Sequence, residues 1–150
     1  MIKNKILLVA SNGGHLVQLK RLAPSYNHHA CVLVSTSQSP PSDAKCENYY
    51  NVMDSNNDQK LKLLITALQT FFIFICVRPK LVISTGAAPG LFCVLWAWTF
   101  RRKAIWIDSI ANTEQLSMAG RLATKLTRYC YSQWPNVAEK ENVKYIGSVL

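Results

Sequence analysis

The chain has 150 residues, a length that suits one domain with one hydrophobic core. Hydrophobic residues make up 49% of it and charged residues 17%, which is typical of a folded globular protein and excludes a disordered one. The formal net charge is +9, so we expect an acidic partner such as a phosphate, a nucleotide, a nucleic acid or an anionic membrane. We predict a single domain over residues 1–150.

The cysteines and the apolar stretches narrow the class of protein further. Five cysteines are widely spaced without a CxxC pair, which favours reduced, buried thiols and predicts neither a disulfide framework nor a metal site. The N-terminus lacks a signal-peptide layout, because Lys3 and Lys5 lead into a short apolar run. The longest apolar stretch, residues 63–77, is shorter than the roughly 20 residues that a membrane-spanning helix needs.

The first element is a strand pattern over residues 5–10 that runs directly into Ser11-Asn12-Gly13-Gly14-His15. Two glycines at a strand-to-helix turn let the backbone approach a ligand closely, and the N–H groups of the following helix suit an anion. His15 adds a titratable imidazole at the same place. A plain turn, with Asn12 capping the helix and a surface histidine, fits these residues equally well.

Strand and helix patterns alternate along the rest of the chain. The predicted strands cover residues 5–10, 30–35, 80–84, 103–107, 129–134 and 144–147, with a further short one within 46–53. The predicted helices cover residues 14–22, 58–77, 89–100 and 114–128, and residues 54–57 are expected to cap the second. This order predicts an α/β fold, a Rossmann-like doubly wound parallel sheet with helices on both faces.

Three polar loops follow predicted strands, and ligands of such sheets bind beyond the carboxyl ends of the strands. They are residues 11–15, 84–90 and 108–114. The second is rich in small residues and can wrap a diphosphate, or simply let a helix pack closely on the sheet. In the third, Asp108 and Glu114 can bind substrate hydroxyls or serve as a general base. The alternative is that Asn112 or Thr113 caps the helix, with Glu114 in its first turn.

Two helices carry features that predict a surface for a membrane or a partner. Residues Arg121, Lys125 and Arg128 lie on one face of the helix 114–128, and with Arg101, Arg102 and Lys103 they form a candidate surface for anionic lipid head groups. A basic face that is only solvated is the alternative. The helix 58–77 is apolar around most of its circumference, which indicates either burial in the core or contact with a partner chain or membrane.

Several motifs occur together in one known family: Gly13-Gly14-His15, Ser84-Thr85-Gly86-Ala87-Ala88-Pro89-Gly90, Leu116-Ser117 with Gly120-Arg121, Gln133-Trp134-Pro135 and Tyr145-Ile146-Gly147-Ser148. With them the chain resembles the acceptor-side, membrane-recruiting subunit of two-chain GT-B glycosyltransferases. That family includes a subunit of the eukaryotic dolichol-linked N-acetylglucosaminyltransferase and its bacterial capsule and exopolysaccharide counterparts. The resemblance implies the fold of the N-terminal GT-B domain, which binds a lipid-diphosphate acceptor and touches the membrane.

The candidate site residues follow from the loops and the resemblance together. His15 is expected to be a general base or a ligand of the diphosphate, and Asp108 is the second catalytic candidate. The candidates for acceptor or diphosphate binding are Ser11, Asn12, Gly13, Gly14, Thr85, Gly86, Ala87 and Glu114. The candidates for the membrane or partner surface are Arg101, Arg102, Lys103, Arg121, Lys125 and Arg128. We expect no metal site.

We therefore expect one subunit of an inverting UDP-sugar glycosyltransferase, inactive alone, that extends a polyprenyl-diphosphate-linked saccharide in capsule or exopolysaccharide synthesis. Eukaryotic members carry an N-terminal membrane anchor, whereas this chain begins at its first strand, so we expect a peripheral protein at the cytoplasmic face of the cell membrane. It ends at Leu150, where a second GT-B domain would begin. A separate catalytic subunit is therefore expected to bind the UDP-sugar donor, with no cofactor on this chain and no nucleic acid.

Two other functions fit the sequence. In the first, the chain has no catalytic residue and recruits and activates a catalytic glycosyltransferase at the membrane through the helix 60–77 and the basic patches at residues 101–103 and 121–128. In the second, the chain is a free-standing nucleotide-binding enzyme. The turn at Gly13 lacks the full GxGxxG spacing, and Ser35-Thr36-Ser37 stands where an acidic residue would follow the second strand of a dinucleotide site.

Overall fold

A computed structural model describes residues 4–149. Its strands are β1 (Lys5–Ala10), β2 (Ala30–Ser35), β3 (Asn48–Asn51), β4 (Leu81–Gly86), β5 (Lys103–Ile107) and β6 (Cys130–Tyr131). They form one parallel sheet in the order β3-β2-β1-β4-β5-β6. This is the order of a doubly wound Rossmann sheet, and its topological switch point lies between β1 and β4. The predicted α/β fold is confirmed.

Helices cover both faces of the sheet: α1 (Gly14–Arg21), α2 (Ala23–Tyr26), α3 (Lys60–Val77), α4 (Ala88–Thr99), α5 (Met118–Ala123) and α6 (Pro135–Glu141). Side chains of β1 alternate between two hydrophobic clusters. Leu7 and Val9 belong to the cluster that includes residues of α3 and α4, and Leu8 belongs to the cluster that includes residues of α1. Because both faces are covered, the central strands are continuous apolar runs.

The predicted helix 114–128 is wrong in its extent. Only residues 118–123 are helical, and Ser117 is the N-cap, with its Oγ accepting a hydrogen bond from the N–H of Gly120 at 2.9 Å. The Asp108 carboxylate accepts a hydrogen bond from the N–H of Ser117, also at 2.9 Å. This hydrogen bond holds the segment between Asp108 and Ser117 close to the sheet, so the helix begins only at Met118. Periodicity in the sequence does not reveal such a contact.

Other boundaries also differ from the predictions. The predicted strand 129–134 is reduced to β6, and the predicted strand 144–147 to a single bridge between Tyr131 and Lys144. Residues 54–57 do not cap α3, whose N-cap is Gln59 without a side-chain bond. The short helices α2 and α6 were not predicted; each has a proline in its first turn. All five cysteines are free, and Cys76 is exposed rather than buried.

Helix α3 buries two threonines together with Ile73, Phe74 and Val77, and it exposes several large apolar side chains. Thr66 and Thr70 are buried: Thr66 Oγ1 donates to the carbonyl of Met53 at 2.9 Å, and Thr70 Oγ1 accepts from Trp96 Nε1 at 3.1 Å. We call the exposed side the apolar face of α3; it consists of Leu61, Leu64, Leu68, Phe72 and Ile75. The helix has 18 residues and a mean hydropathy of 1.8, so by length and composition alone it is a candidate for crossing a membrane. The length of the apolar stretch in the sequence had not predicted this. Core helices of soluble proteins meet the same criterion.

Candidate functional site

The three polar loops meet at the carboxyl edge of the sheet, as predicted. A cavity of about 460 Å³ lies among the ends of β1, β4 and β5, beside the topological switch point. Its lining comprises Gly14, His15, Thr85, Gly86, Ala87, Trp106, Asp108, Ser109, Ala111, Asn112, Ser117 and Ala119. Six of the predicted site residues are therefore brought together here.

Two helices begin at this cavity without a side-chain cap. The N-cap of α1 is Gly13, at φ +91°, and the N-cap of α4 is Ala87. A Cβ atom added at Gly13 or Gly14 would meet no atom within 4 Å, so the first turn of α1 faces open space. Uncapped N–H groups and the positive end of the helix dipole make such a turn suited to an anion. The arrangement can therefore hold a phosphate or diphosphate through backbone N–H groups.

His15 lies half-buried at the start of α1 and is tied to two strands. Its Nδ1 forms a hydrogen bond with Ser11 Oγ at 2.8 Å, and its carbonyl accepts one from Thr85 Oγ1 at 2.6 Å. Burial lowers the pKa of His15 below 6.5, and the charge of Asp108 opposes this shift. The imidazole is therefore mostly neutral at pH 7. When Nδ1 donates to Ser11, Nε2 is a free proton acceptor, as a general base requires.

Gly86 packs directly against the imidazole. Its φ is +123°, and an added Cβ atom would lie 2.7 Å from His15 Cδ2 and 2.8 Å from Nε2. The carbonyl of Gly86 also accepts a hydrogen bond from the N–H of Ser11 at 3.1 Å. Any side chain at position 86 would strain the backbone and displace the ring of His15. A glycine here is thus required for the position of the histidine.

Asp108 is buried, with 2% of its surface exposed, and its carboxylate accepts four hydrogen bonds. Oδ1 accepts from Trp106 Nε1 at 3.0 Å and from Ser117 Oγ at 2.6 Å. Oδ2 accepts from Asn112 Nδ2 at 2.8 Å and from the N–H of Ser117 at 2.9 Å. These bonds occupy the acceptor positions of the carboxylate, so the geometry favours His15 over Asp108 as the base. Asp108 organises the loop that lines the cavity.

The remaining predicted ligands lie farther out. Asn12 is exposed, and its N–H donates to Thr36 Oγ1 at 2.9 Å rather than facing the cavity. Glu114 is exposed and does not line the cavity; its carbonyl accepts from Lys140 Nζ at 3.3 Å. Ser117 also lines the cavity, which was not predicted, because the helix pattern over residues 114–128 places it inside a helix. The sequence did contain a signal for this helix start, because serine is a preferred N-cap residue and Ser117 lies three residues before Gly120, whose N–H it caps.

The predicted basic residues do not form one uniform surface. Arg121 pairs with Glu141 at 2.9 Å, which neutralises its charge locally. Arg128 and Lys144 each lie 5.1 Å from the ring centre of Tyr129, and a hydrogen bond from Arg128 lowers the pKa of Tyr129. Arg101, Arg102 and Lys103 lie at the amino edge of the sheet, opposite the cavity, and Lys125 is exposed. Within residues 4–149, no group of three or more histidine, cysteine or acidic residues could hold a metal ion.

Known structures share this fold. MurG of Acinetobacter baumannii matches with a TM-score of 0.74 and 11% identity, over 89% of this chain and 43% of that one. UDP-GlcNAc 2-epimerase of Neisseria meningitidis, solved with UDP-GlcNAc bound, matches with a TM-score of 0.70 and 13% identity, over 97% of this chain and 47% of that one. The chain thus spans less than half the length of these proteins, and at such identities the likeness concerns the fold alone.

Sequence comparison gives the family. The chain is similar to proteins named UDP-N-acetylglucosamine transferase subunit ALG14. The human protein is 26% identical, over 97% of this chain and 82% of the relative, and the mouse protein 22%, over 97% and 83%. The family model described as "Oligosaccharide biosynthesis protein Alg14 like" matches residues 44–149, which include Gly86 and Asp108. Because this match covers most of the chain, the protein belongs to the Alg14-like family of oligosaccharide biosynthesis proteins.

Proposed function

We propose that this protein is the acceptor-binding, membrane-associated subunit of a two-chain inverting UDP-sugar glycosyltransferase. The observation that carries the proposal is the cavity, where two uncapped helix N-termini meet the half-buried His15. The helix N-termini suit a diphosphate, and His15 suits proton abstraction from a hydroxyl close to it. A polyprenyl-diphosphate-linked saccharide carries both groups. Extension of such an acceptor in capsule or exopolysaccharide synthesis remains a prediction from the sequence.

The reaction is a single displacement at the sugar. The acceptor diphosphate binds the N–H groups in the first turn of α1 and the N–H of Ala88 at the start of α4, where Pro89 has none to donate. This directs the saccharide hydroxyl toward His15 Nε2. As the hydroxyl oxygen bonds to the anomeric carbon, His15 takes its proton, and UDP leaves with the electrons of the broken bond. Ser11 Oγ then stabilises the imidazolium through its 2.8 Å bond to Nδ1. One displacement inverts the anomeric configuration.

The UDP-sugar would be held by a separate catalytic subunit. The curated relatives are named as subunits of a transferase. The cavity opens at the carboxyl edge of the sheet, the side on which ligands of such folds bind. A donor subunit facing this edge would complete the site.

The apolar face of α3 would lie on the membrane at its cytoplasmic side. Leu61 is 72% exposed and Phe72 64%, so the face is not covered by this domain. Trp98, on the neighbouring helix α4, is also exposed, and aromatic residues favour the membrane interface. Arg78, Arg101 and Arg102 follow the ends of α3 and α4, where they can meet anionic head groups. The buried bonds of Thr66 and Thr70 hold α3 in the domain, which favours peripheral contact over a membrane-crossing helix.

The direct test is reconstitution with the partner. The chain is co-expressed with a candidate UDP-sugar-binding glycosyltransferase, and transfer of labelled N-acetylglucosamine to a short polyprenyl-diphosphate-linked saccharide is measured. We expect transfer only when both chains are present. His15→Gln should lower kcat by about 10²- to 10⁴-fold, whereas Val17→Ala, an exposed change on the same helix, should not. Full activity of both His15→Gln and Gly14→Val would refute the site assignment.

The second candidate function is a non-catalytic protein that recruits the catalytic glycosyltransferase to the membrane. The exposed apolar face of α3 supports this function as well as it supports the first. In that case the partner alone would transfer sugar to a water-soluble acceptor, and this chain would only increase the rate on vesicles. His15→Gln would then have no effect on kcat. The reconstitution assay separates the two functions, because it compares the partner alone, both chains and the His15 variant.

A further inference from the structure

Two buried glutamines join parts of the chain that are far apart in sequence. Gln18 lies in α1 and is 5% exposed; Gln133 follows β6 and is 4% exposed. Their amides form a hydrogen bond in which Gln133 Nε2 donates to Gln18 Oε1 at 2.6 Å. Buried amides are costly unless their polar atoms are paired, so the two side chains are held in defined positions.

The orientation of each amide is fixed by backbone partners. Gln18 Oε1 accepts from the N–H of Ile110 at 3.1 Å, so this atom must be the oxygen. Gln133 Nε2 also donates to the carbonyl of Asp108 at 2.9 Å, and Gln133 Oε1 accepts from the N–H of Val149 at 2.9 Å. A backbone N–H only donates and a carbonyl only accepts, so a flipped amide would lose these bonds.

The two amides connect the C-terminal segment, residues 144–149, to the candidate site. Gln18 Nε2 donates to Ser109 Oγ at 3.3 Å, and Trp134 Nε1 donates to the carbonyl of Ile110 at 2.6 Å. At the other end, the carbonyl of Val149 accepts from Arg21 at 3.0 Å. The loop that carries Asp108 is therefore attached both to α1, which begins beside His15, and to the C-terminal segment.

We propose that Gln18 and Gln133 are positioning residues of the acceptor site, and that they couple the placement of the C-terminal segment to His15 and Asp108. The role in catalysis rests on the proposed function, whereas the coupling does not. Ile146 is 85% exposed, so this part of the segment has little packing of its own. Val149, at the end of the segment, is held by hydrogen bonds to Gln133 and Arg21. A shift of Val149 would leave Gln133 Oε1 unpaired and disturb the bonds to Gln18 and Asp108 together.

The first test does not need activity. The pKa of His15 is measured by NMR on the full chain, with the three histidines assigned by substitution. Asp108 is the charged group that acts on His15, so Asp108→Asn should lower this pKa and serves as the reference. Gln133→Met, which keeps the length of the side chain and removes its hydrogen bonds, should shift it in the same direction by a smaller amount. Thr70→Val, a buried polar change in α3, should leave it unchanged.

An unchanged His15 pKa in Gln133→Met would overturn the coupling. So would an equal shift in Thr70→Val, because a general loss of stability would then be the cause. If the reconstituted complex transfers no sugar at all, the proposed function fails while this titration still tests the network. The two failures are therefore distinguishable.

The second test is made on the reconstituted complex and uses the different roles of the two amides. Gln18 accepts hydrogen bonds through Oε1, whereas Gln133 donates them through Nε2. Gln18→Glu keeps an oxygen acceptor for Ile110 and Gln133, and the hydroxyl of Ser109 can turn to donate. Only the cost of burying a carboxylate should therefore lower kcat, and the fall should be smaller than in Gln133→Glu. Gln133→Glu places an acceptor against Gln18 Oε1 and the carbonyl of Asp108, so kcat should fall about tenfold or more, with the KM for the UDP-sugar unchanged. Equal effects of the two substitutions would contradict the assigned roles.

Discussion

Helices α1 and α3 lie on opposite faces of the sheet and use buried polar side chains in opposite ways. In α1, Leu16 and Leu19 pack into the core, and the buried Gln18 connects the helix to the loop beyond β5. In α3, Thr66 and Thr70 face inward together with Ile73, Phe74 and Val77, while other large apolar side chains of the helix face solvent. The hydrogen bonds of Gln18 hold the loop of the candidate site in a defined position, whereas the packing of α3 leaves an apolar surface exposed to solvent. One domain thus separates a polar sheet edge, which we propose binds the acceptor, from an exposed apolar face, which we propose contacts the membrane.

The largest expected effect concerns the polar edge. Gly86→Val would place a side chain against the imidazole of His15 and strain a backbone at φ +123°. Displacement of the base should lower kcat about 10²-fold or more, while binding to anionic vesicles stays unchanged. Steady-state kinetics of the reconstituted complex and vesicle co-sedimentation measure the two. Loss of vesicle binding in this variant would show that the two regions are not separate.

The second prediction concerns the apolar face. Phe72 is exposed, so Phe72→Asp should leave the melting temperature nearly unchanged and weaken binding to anionic vesicles about tenfold, because one large apolar side chain no longer enters the membrane. Phe72→Leu is the matched control and should retain most of the binding. Undiminished vesicle binding by Phe72→Asp would exclude this face as the membrane contact.

A smaller effect tests how α3 is held. Thr70→Val keeps the shape of the side chain and leaves Trp96 Nε1 without its acceptor. We expect the free energy of unfolding to fall by about 1 kcal/mol, as measured by urea denaturation. Leu64→Thr, a change on the exposed side of the same helix, should alter stability much less. The opposite ranking would mean that the apolar face, and not the threonines, packs against the domain.

The smallest effect is a dependence of stability on pH. The pKa of His15 is lowered by burial in the folded protein, so the unfolded chain takes up a proton first as pH falls below 6.5. The His15 contribution is therefore complete above the unfolded pKa and declines as pH falls toward the folded one. Urea denaturation at about pH 7.5 and about pH 5.5 should show a smaller loss for His15→Gln than for the wild type. Equal losses would mean that His15 is not desolvated.

The sequence predicted the sheet and the edge that carries the site, because both depend on local patterns. The bounds of β1, β2 and β5 agree with the apolar runs, and the loops after β1, β4 and β5 meet as parallel topology requires. Two features depend on contacts between distant residues and were not predictable. The bonds of Asp108 shorten α5, and the direction of the Gln133 amide depends on Val149 and Asp108.

The sequence pattern also did not predict which side of α3 faces the core. Its apolar residues surround most of the helix, so the periodicity leaves open which side is buried. The side that faces the core is the one on which Thr66 and Thr70 find hydrogen-bond partners. These partners are Met53, Ser55 and Trp96. The excess of apolar surface was predicted correctly, but whether a membrane or a partner chain covers it stays a prediction.

The most direct test of the account is ligand binding by this chain without its partner. A water-soluble, short-chain polyprenyl-diphosphate-linked saccharide and UDP-GlcNAc are titrated separately against the wild type and Gly86→Val. We predict that the wild type binds the lipid diphosphate, that Gly86→Val weakens this binding about tenfold or more, and that UDP-GlcNAc does not bind. Binding of UDP-GlcNAc in the cavity, or lipid-diphosphate binding that Gly86→Val leaves intact, would contradict the assignment of this edge to the acceptor.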